Sequence, residues 1–175
     1  MGSDGRYTSL REPFLDADMP SLDDFLALDM LTLRDHTLHA GDSFDTAQQR
    51  AQLVKTLAEA EVCTVARAGN LLAYAMLRPE TDGCWFVTGF NTHPAHRNAA
   101  VMQELIAGIV ALAREHGIAA LRSHVYKTNA LSLAFHRRLG FAVTRENDKA
   151  VEFTATLADL AQRPAVRRAM AQAAT

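Results

Sequence analysis

Residues 92–103 have the composition and order of an anion-binding turn. An apolar run ends at Thr92, Pro94 and Arg97 follow, and small residues then open a long stretch of helical periodicity. The first turn of a helix leaves several backbone amides without intrahelical partners, and these amides attract anions together with the helix dipole. The short side chains of Ala99 and Ala100 let a phosphate group approach the backbone. The segment therefore predicts a phosphate-binding site at the start of a helix.

Residues 129–141 form a second segment with the signature of a helix. Residues 129–139 have the pattern of a helix, and Gly140 follows the last apolar residue, as glycines that end helices do. His136 lies in the last turn of this predicted helix. An imidazole has an ordinary pKa of about 6.5, so a minority of such rings is cationic at neutral pH. The segment therefore contributes a side chain able to move protons.

Together, the two segments resemble the two signature motifs of the GNAT superfamily of acyl-CoA-dependent N-acetyltransferases. The first is similar to the family's V-x-P-x-x-R-G-x-G-x-G/A turn, and the second to its N-x-x-A-x-x-F-Y-x-x-x-G-F helix. Residues 62–145 also follow the element order of the family. The residues that match the motifs are Pro94, Arg97, Asn129, Ala130, Phe135, Gly140 and Phe141.

This resemblance implies transfer of an acetyl group from acetyl-CoA to a primary amine of a small molecule or peptide, by direct attack on the thioester. The backbone amides of Asn91 and Thr92 are expected to polarise the thioester carbonyl, and His136 to protonate the leaving thiolate. The residues that the resemblance implies for acetyl-CoA binding are Thr92, Arg97, Asn98, Ala99, Ala100, Val101, Met102, Gln103, Asn129 and Ser132.

Several positions depart from the family pattern. Asn98 and Ala100 replace glycines, and Met102 stands where the family has glycine or alanine, so its side chain either occupies the turn or rotates into the core. His136 replaces a tyrosine and is either the proton donor or a polar residue of the helix surface. Two hypotheses therefore stay open: an active acetyltransferase, and a catalytically inactive acyl-CoA-binding or regulatory module.

A general base is missing from the place where many relatives carry a carboxylate. Residues 85–97 contain no Asp or Glu, so a water chain, His93 or a carboxylate on another element has to take the proton of the amine. We expect the acceptor site to be built by the first two helices and their linking loop, near residues 33–46, together with the final hairpin. The acidic residues there, which attract a cationic amine or are simply solvated, are Asp35, Asp42 and Asp45.

Composition and charge argue against several other classes of protein. The 175 residues include 49% hydrophobic residues and carry a net charge of -2, which predicts a globular protein with no footprint for nucleic acid or an anionic membrane. Cys63 and Cys84 make no disulfide framework, so a reducing cytoplasm is the expected location. His93 and His96 have no third ligand nearby, and we predict no metal site.

The order of periodic segments predicts an α+β fold with a GNAT-like topology. A cap at Ser21 starts a helix that continues to about His36. This helix is the second element of the order predicted for the whole chain, which is β-α-α-β-β-β-α-β-α-β-β. This order predicts a mixed, mostly antiparallel sheet of about seven strands, flanked by four helices and including one right-handed crossover. The predicted strands are 8–11, 62–67, 71–77, 84–92, 119–126, 141–145 and 150–156, and the later helices are 45–61, 100–116 and 129–139.

The chain divides into one predicted domain, residues 1–160, and a helical tail, residues 161–175. The tail carries Val166 and Met170 among arginines. Apolar residues in such a segment either pack against a partner chain, which makes a homodimer one expectation, or belong to a frayed end.

Overall fold

The computed structural model describes residues 19–81 and 83–172. The strand predicted at residues 8–11 lies outside these residues. The described part has the α+β architecture that the sequence predicts, a mostly antiparallel mixed sheet with helices on both faces.

Three helices precede the sheet: α1 (Leu22–Thr32), α2 (Arg34–His39) and α3 (Thr46–Glu59). Ser21 caps α1, because its Oγ accepts from the Asp24 amide at 3.3 Å while the Asp24 carboxylate accepts from the Ser21 amide at 2.7 Å. The single helix predicted to run to His36 is divided near Leu33. Thr32 Oγ1 donates to the Leu28 carbonyl at 2.9 Å, a back-bond that bends helices.

The sheet has six strands in the described residues, in the order β1-β2-β3-β4-β6-β5. Only β3 and β4 pair in parallel, and α4 crosses between them, as the predicted strand–helix–strand passage requires. The bounds are β1 (Glu61–Arg67), β2 (Asn70–Pro79), β3 (Cys84–Thr92), β4 (Ala120–Tyr126), β5 (Ala142–Glu146) and β6 (Ala150–Thr156).

The remaining helices are α4 (Ala99–His116), α5 (Ala130–Leu139), α6 (Leu157–Leu160) and α7 (Pro164–Gln172), and a 3-10 turn spans Pro94–His96. Helices α1 and α3 cover one face of the sheet around Phe25 and Tyr74, whereas α4 covers the other. In the predicted tail, Val166 and Ala169 are 5% and 0% exposed in the core cluster that α4 also lines. The tail therefore packs on its own chain. No helix in the described ranges is long and apolar enough to cross a membrane.

Strands β3 and β4 part after a short seam. They pair from Cys84 with Ala120 to Val87 with Ser123, and beyond that point β3 continues alongside β2 while β4 continues alongside β6. A bulge in the β2–β3 ladder leaves Thr88 without a registered partner, just after the seam ends. Since bulges bend and twist the strand that contains them, this one accompanies the divergence. The result is a cleft between the carboxyl ends of β3 and β4.

Candidate active site

A cavity of about 130 Å³ lies where β3 ends and α4 and α5 begin. It brings together residues from both segments that the sequence singles out. Of the predicted acetyl-CoA ligands, those that line this cavity are Thr92, Arg97, Met102, Asn129 and Ser132. We call this cavity the β3–α4 groove.

The start of α4 carries backbone donors with no partner in the fold. Asn98 caps the helix, with its side chain accepting from the Val101 amide and its carbonyl from the Met102 amide, both at 3.1 Å. Among the hydrogen bonds of the described residues, none starts from the amides of Ala99 or Ala100. Both residues are exposed. Two free amides at the positive end of an 18-residue helix can therefore hold an anion.

Arg97 closes the turn in front of these amides. Its Nε donates to Thr92 Oγ1 at 3.0 Å, and its Nη2 donates to the Thr92 carbonyl at 3.2 Å. The guanidinium is thereby fixed to the end of β3 and stays at the exposed wall of the groove. This places a permanent positive charge beside the free amides.

Met102 also lines the β3–α4 groove and is half-buried. Of the two orientations left open by the sequence, the one observed keeps its side chain at the wall of the groove. Any ligand that lies along the first turn of α4 therefore has to pass this thioether.

The backbone of β3 presents alternate amides to the cleft. The His93 amide donates to the Leu72 carbonyl at 2.7 Å, so it faces β2. Because backbone direction alternates along a strand, the Asn91 amide also faces β2, whereas the amides of Phe90 and Thr92 face the cleft. The prediction for the Asn91 amide therefore needs correction, because in this register the amide of Phe90, and not that of Asn91, faces the cleft beside the Thr92 amide.

Asn91 contributes to the site through its side chain instead. The side chain is buried, and its Nδ2 donates to Asp29 Oδ1 at 3.0 Å and to Tyr74 Oη at 2.6 Å. Its Oδ1 lies 3.1 Å from Thr32 Oγ1. These bonds tie the cleft end of β3 to α1 and to β2.

His136 is 7% exposed, and both of its ring nitrogens have partners within the fold. Nδ1 lies 2.8 Å from the Ser132 carbonyl, which only accepts, so Nδ1 carries the proton of the neutral ring. Nε2 lies 2.7 Å from Ser123 Oγ and then accepts from that hydroxyl. Burial lowers the pKa of His136, which favours this neutral form.

His136 does not line the β3–α4 groove but an adjoining apolar cavity of about 60 Å³. Phe90 and Phe135 line both cavities and lie between them. The proton-donor role of His136 stays a prediction. With Nδ1 donating to a carbonyl, the ring has to be protonated at Nε2 before it can pass on a proton, and the neighbour that takes it is the Ser123 hydroxyl.

Other predicted residues serve the fold around the site. Val101 is a core residue at 5% exposure, and Gln103 Nε2 donates to the Ala165 carbonyl at 3.3 Å. Asp45 caps α3 by accepting from the Gln48 amide at 2.7 Å. In the described ranges, no group of three or more His, Cys, Asp or Glu side chains is arranged to hold a metal ion.

Asp42 links the helices to the far side of the cleft. It accepts from Tyr126 Oη at 2.9 Å, and it pairs with Lys149 in the turn between β5 and β6. The hydrogen bond from Lys149, followed by that from Tyr126, lowers the pKa of Asp42. This carboxylate is therefore occupied by partners of its own chain.

The residue that sequence reasoning missed is Asp29. Its carboxylate is 1% exposed under α1 and contacts Tyr74, Asn91 and Gln49. The available signal was its spacing, because Asp29 follows Phe25 by four residues and therefore lies on the buried face of the helix. A single acidic residue among the apolar residues of the buried face of a helix indicates a buried carboxylate.

Comparison with known proteins finds one family and a set of similar folds. The model of the acetyltransferase (GNAT) family matches residues 25–141. No curated protein matches the sequence. The PaiA N-acetyltransferase of Thermoplasma acidophilum, solved in complex with coenzyme A, superposes with a TM-score of 0.63 at 11% identity, over 79% of this chain and 96% of that one.

Two further solved structures share the fold. The ribosomal-protein-S18-alanine N-acetyltransferase of Escherichia coli has a TM-score of 0.57 at 15% identity, over 80% of this chain and 91% of that one. The ribosomal-protein-alanine N-acetyltransferase of Brucella melitensis has a TM-score of 0.54 at 20% identity, over 78% and 94% of the two chains.

Proposed function

The chain belongs to the GNAT acetyltransferase family, and on that premise we propose that it transfers an acetyl group from acetyl-CoA to a primary amine of a small molecule or peptide. The observation that carries the proposal is the parting of β3 and β4 directly beside the β3–α4 groove. The cleft supplies unpaired backbone amides that can donate hydrogen bonds, and the groove supplies an anion site. One elongated molecule such as acetyl-CoA can therefore occupy both.

The pyrophosphate of acetyl-CoA fits the start of α4. The free amides of Ala99 and Ala100 in the first turn of α4 offer neutral donors, and the guanidinium of Arg97 offers a charged donor at the wall of the groove. Charge-assisted hydrogen bonds to a phosphate are among the stronger contacts that a protein makes. Asn129 and Ser132 line the opposite wall at the start of α5.

The thioester fits the cleft beyond the groove. In this arrangement the amides of Phe90 and Thr92 donate to the carbonyl oxygen, where negative charge develops during attack. Asn91 holds this stretch of β3 through its buried side chain, so the donors are fixed before the substrate binds. Fixed donors of this kind need no reorganisation during the reaction, which is why their effect on the rate is large.

The reaction joins an amine nitrogen to the carbonyl carbon and breaks the carbon–sulfur bond. An alkylamine with a pKa of about 10.4 is mostly protonated at neutral pH, so it has to lose a proton before it attacks. The thiolate that leaves takes up a proton, and the predicted source is His136 acting through the Ser123 hydroxyl. Since Nε2 of the neutral ring carries no proton and accepts from Ser123, this role requires the ring to be protonated at Nε2 first.

A second candidate function is an acyl-CoA-binding or regulatory module without turnover. Two observations favour it: both ring nitrogens of His136 are engaged inside the fold, and the side chain of Met102 lines the groove. Neither observation removes the cleft or its donors.

Thiol release separates the two candidates. The protein is incubated with acetyl-CoA and a panel of primary amines, free thiol is followed over time, and calorimetry measures coenzyme A binding in parallel. Amine-dependent thiol release supports the transferase. Binding without release for any amine supports the module, and absence of binding contradicts both.

A further inference from the structure

The side chain of Asp29 is a buried carboxylate on the inner face of α1, and all of its hydrogen-bond partners are neutral. Asp29 Oδ1 accepts from Tyr74 Oη and, at 3.0 Å, from Asn91 Nδ2, while Oδ2 accepts from Gln49 Nε2 at 2.8 Å. Burial raises the pKa of Tyr74, and the charge of Asp29 raises it further, so the phenol stays protonated and donates. Within the described residues, no ion pair includes Asp29.

Such a carboxylate is costly to the fold. Moving an ionised group out of water costs several kcal/mol even after relaxation, and neutral donors return only part of that free energy. Burial accordingly raises the pKa of Asp29, and the hydrogen bonds from Tyr74, Gln49 and Asn91 oppose that rise. A perturbed carboxylate that adjoins a cavity is a typical feature of a functional site.

Asp29 and Tyr74 line a cavity of about 280 Å³ between α3 and the sheet. Phe86 and Thr88 form its wall on β3, and Thr88 is the bulged residue where the cleft opens. Asn91 is one hydrogen bond from Asp29 and lies between Phe90 and Thr92, the two residues whose amides face the cleft. Asn91 thus lines the β3–α4 groove and bonds directly to the carboxylate that lines this cavity.

We propose that this cavity, which we call the Asp29 cavity, binds the acceptor as a primary ammonium ion, and that Asp29 takes its proton. This inference rests on the proposed acetyl transfer. The ammonium ion supplies the positive partner that the carboxylate lacks. One proton passes from nitrogen to Asp29, and the neutral amine then attacks the thioester carbon as the carbon–sulfur bond breaks. A second proton leaves the nitrogen as the amide forms and replaces the one that the thiolate takes up through Ser123 and His136, while Asp29 releases its own to solvent.

The central test compares Asp29→Asn with Asp23→Asn in the full chain. Asp23 lies on the same helix, with its side chain 75% exposed and paired to Arg50, so its change controls for loss of a negative charge on α1. Each variant is assayed with two acceptors: butylamine, which is protonated at pH 7, and an aromatic amine, which is neutral at pH 7.

For butylamine we expect Asp29→Asn to lower kcat/KM about a hundredfold or more, the range of general-base catalysis. For the aromatic amine, which has no proton to lose before attack, we expect less than about a threefold change by the same reasoning. Equal losses with both acceptors would show that Asp29 only supports β3, and would overturn the proposal. No loss with either acceptor would overturn it as well.

Tyr74→Phe keeps the ring and removes one donor to the carboxylate, so it tests the proposal even where Asp29→Asn unfolds. Since the bond from Tyr74 lowers the pKa of Asp29, its removal should move the acid limb of the kcat/KM profile to higher pH. The other ionisable groups that face the cavity are Lys55 and Glu59 on α3 and Arg78 on β2, and all three stay in place. An unmoved acid limb would contradict the role of Asp29.

Binding of the acceptor is measured without turnover by following the carboxyl carbon resonance of Asp29 during addition of butylammonium. We expect the resonance to shift and the pKa of Asp29 to fall, because a cation stabilises the carboxylate. An unchanged resonance would overturn the proposal even if acetyl transfer is observed. A shift without any acetyl transfer would support the site and contradict the proposed function.

Discussion

The hydroxyl of Ser123 lies 2.7 Å from Nε2 of His136, at the last residue pair before β3 and β4 part. This contact links an imidazole on α5 to the base of the cleft. His136 also stacks on Phe153 with ring centroids 4.9 Å apart, and it donates from Nδ1 to the Ser132 carbonyl. The ring is therefore fixed in one tautomer and one orientation.

Replacing His136 with phenylalanine tests its part in turnover. We expect His136→Phe to lower kcat about tenfold or more, the smaller end of acid–base contributions, with little change in coenzyme A affinity. Ser123→Ala should give a similar loss, since the proposed route for the proton includes this hydroxyl. His116→Gln, at the far end of α4, is the control. Unchanged turnover in His136→Phe would remove the proton-donor role.

Buried His136 should also make stability depend on pH. Its folded-state pKa is lowered by burial, so the unfolded chain takes up the proton more readily. The stabilisation that depends on the neutral ring is complete above the unfolded pKa of about 6.5 and is lost as pH falls through the lower folded value. Urea unfolding of the wild type and of His136→Phe should therefore be compared at pH 7.5, 6.5 and 5.5. We expect the difference between their free energies of unfolding to become smaller as the pH falls. A constant difference would contradict this.

Arg97 is expected to contribute to donor binding through its charge. Loss of a charged hydrogen bond costs about 1.5–3 kcal/mol, so Arg97→Ala should raise the Kd of coenzyme A by about tenfold to a hundredfold. Arg114→Ala removes an equal charge from the last turn of α4. Calorimetry on both variants checks the prediction, and equal effects would assign the loss to net charge alone.

Met102 is expected to narrow the groove. A ligand along α4 displaces this side chain from its favoured rotamer, at a cost of about 0.5–1.5 kcal/mol. Met102→Ala should therefore lower the Kd of coenzyme A about two- to tenfold by the same estimate, whereas Met102→Leu keeps the bulk and should leave it unchanged. Weaker binding in the alanine variant would mean that the thioether contacts the ligand.

Gly89 is required by the ring of Tyr74. A Cβ atom at position 89 lies 2.8 Å from Tyr74 Cε2, closer than carbon atoms pack. Gly89→Ala should cost about 1–3 kcal/mol, the range for overpacking, and lower Tm by about 2–10 °C. In a Tyr74→Leu background the same change should cost much less. Equal losses of free energy of unfolding in both backgrounds would show that the strain does not come from the ring of Tyr74.

The parts of the fold and site that follow local rules could be predicted from the sequence. The cap at Ser21 and the closing glycine Gly140, which has a φ of +87°, depend only on neighbouring residues. The strands around the cleft follow from alternation and turn residues, and their bounds agree with the prediction within a few residues.

The parts that depend on three-dimensional register could not be predicted. The bulge at Thr88 sets the backbone position of β3, and the direction of the Asn91 amide follows from the β2–β3 register that comes after it. The partners of Asp29 come from α3, β2 and β3, which no spacing along the chain brings together. Helix α1 ends at Thr32, and the hydroxyl of this residue contacts Asn91, which is distant along the chain.

The short seam between β3 and β4 has a consequence for how the molecule unfolds. From Cys84 with Ala120 to Val87 with Ser123, these pairs are the only ladder that joins the two halves of the described sheet. Past the seam each half presents a free edge inside the molecule, where amide hydrogens exchange readily with solvent. A donor molecule that occupies the cleft can bridge these edges, and at one hundred times its Kd it adds about 2.7 kcal/mol to the free energy of unfolding. A molecule bound in this cleft would thus help the two halves of the sheet to unfold as one cooperative unit.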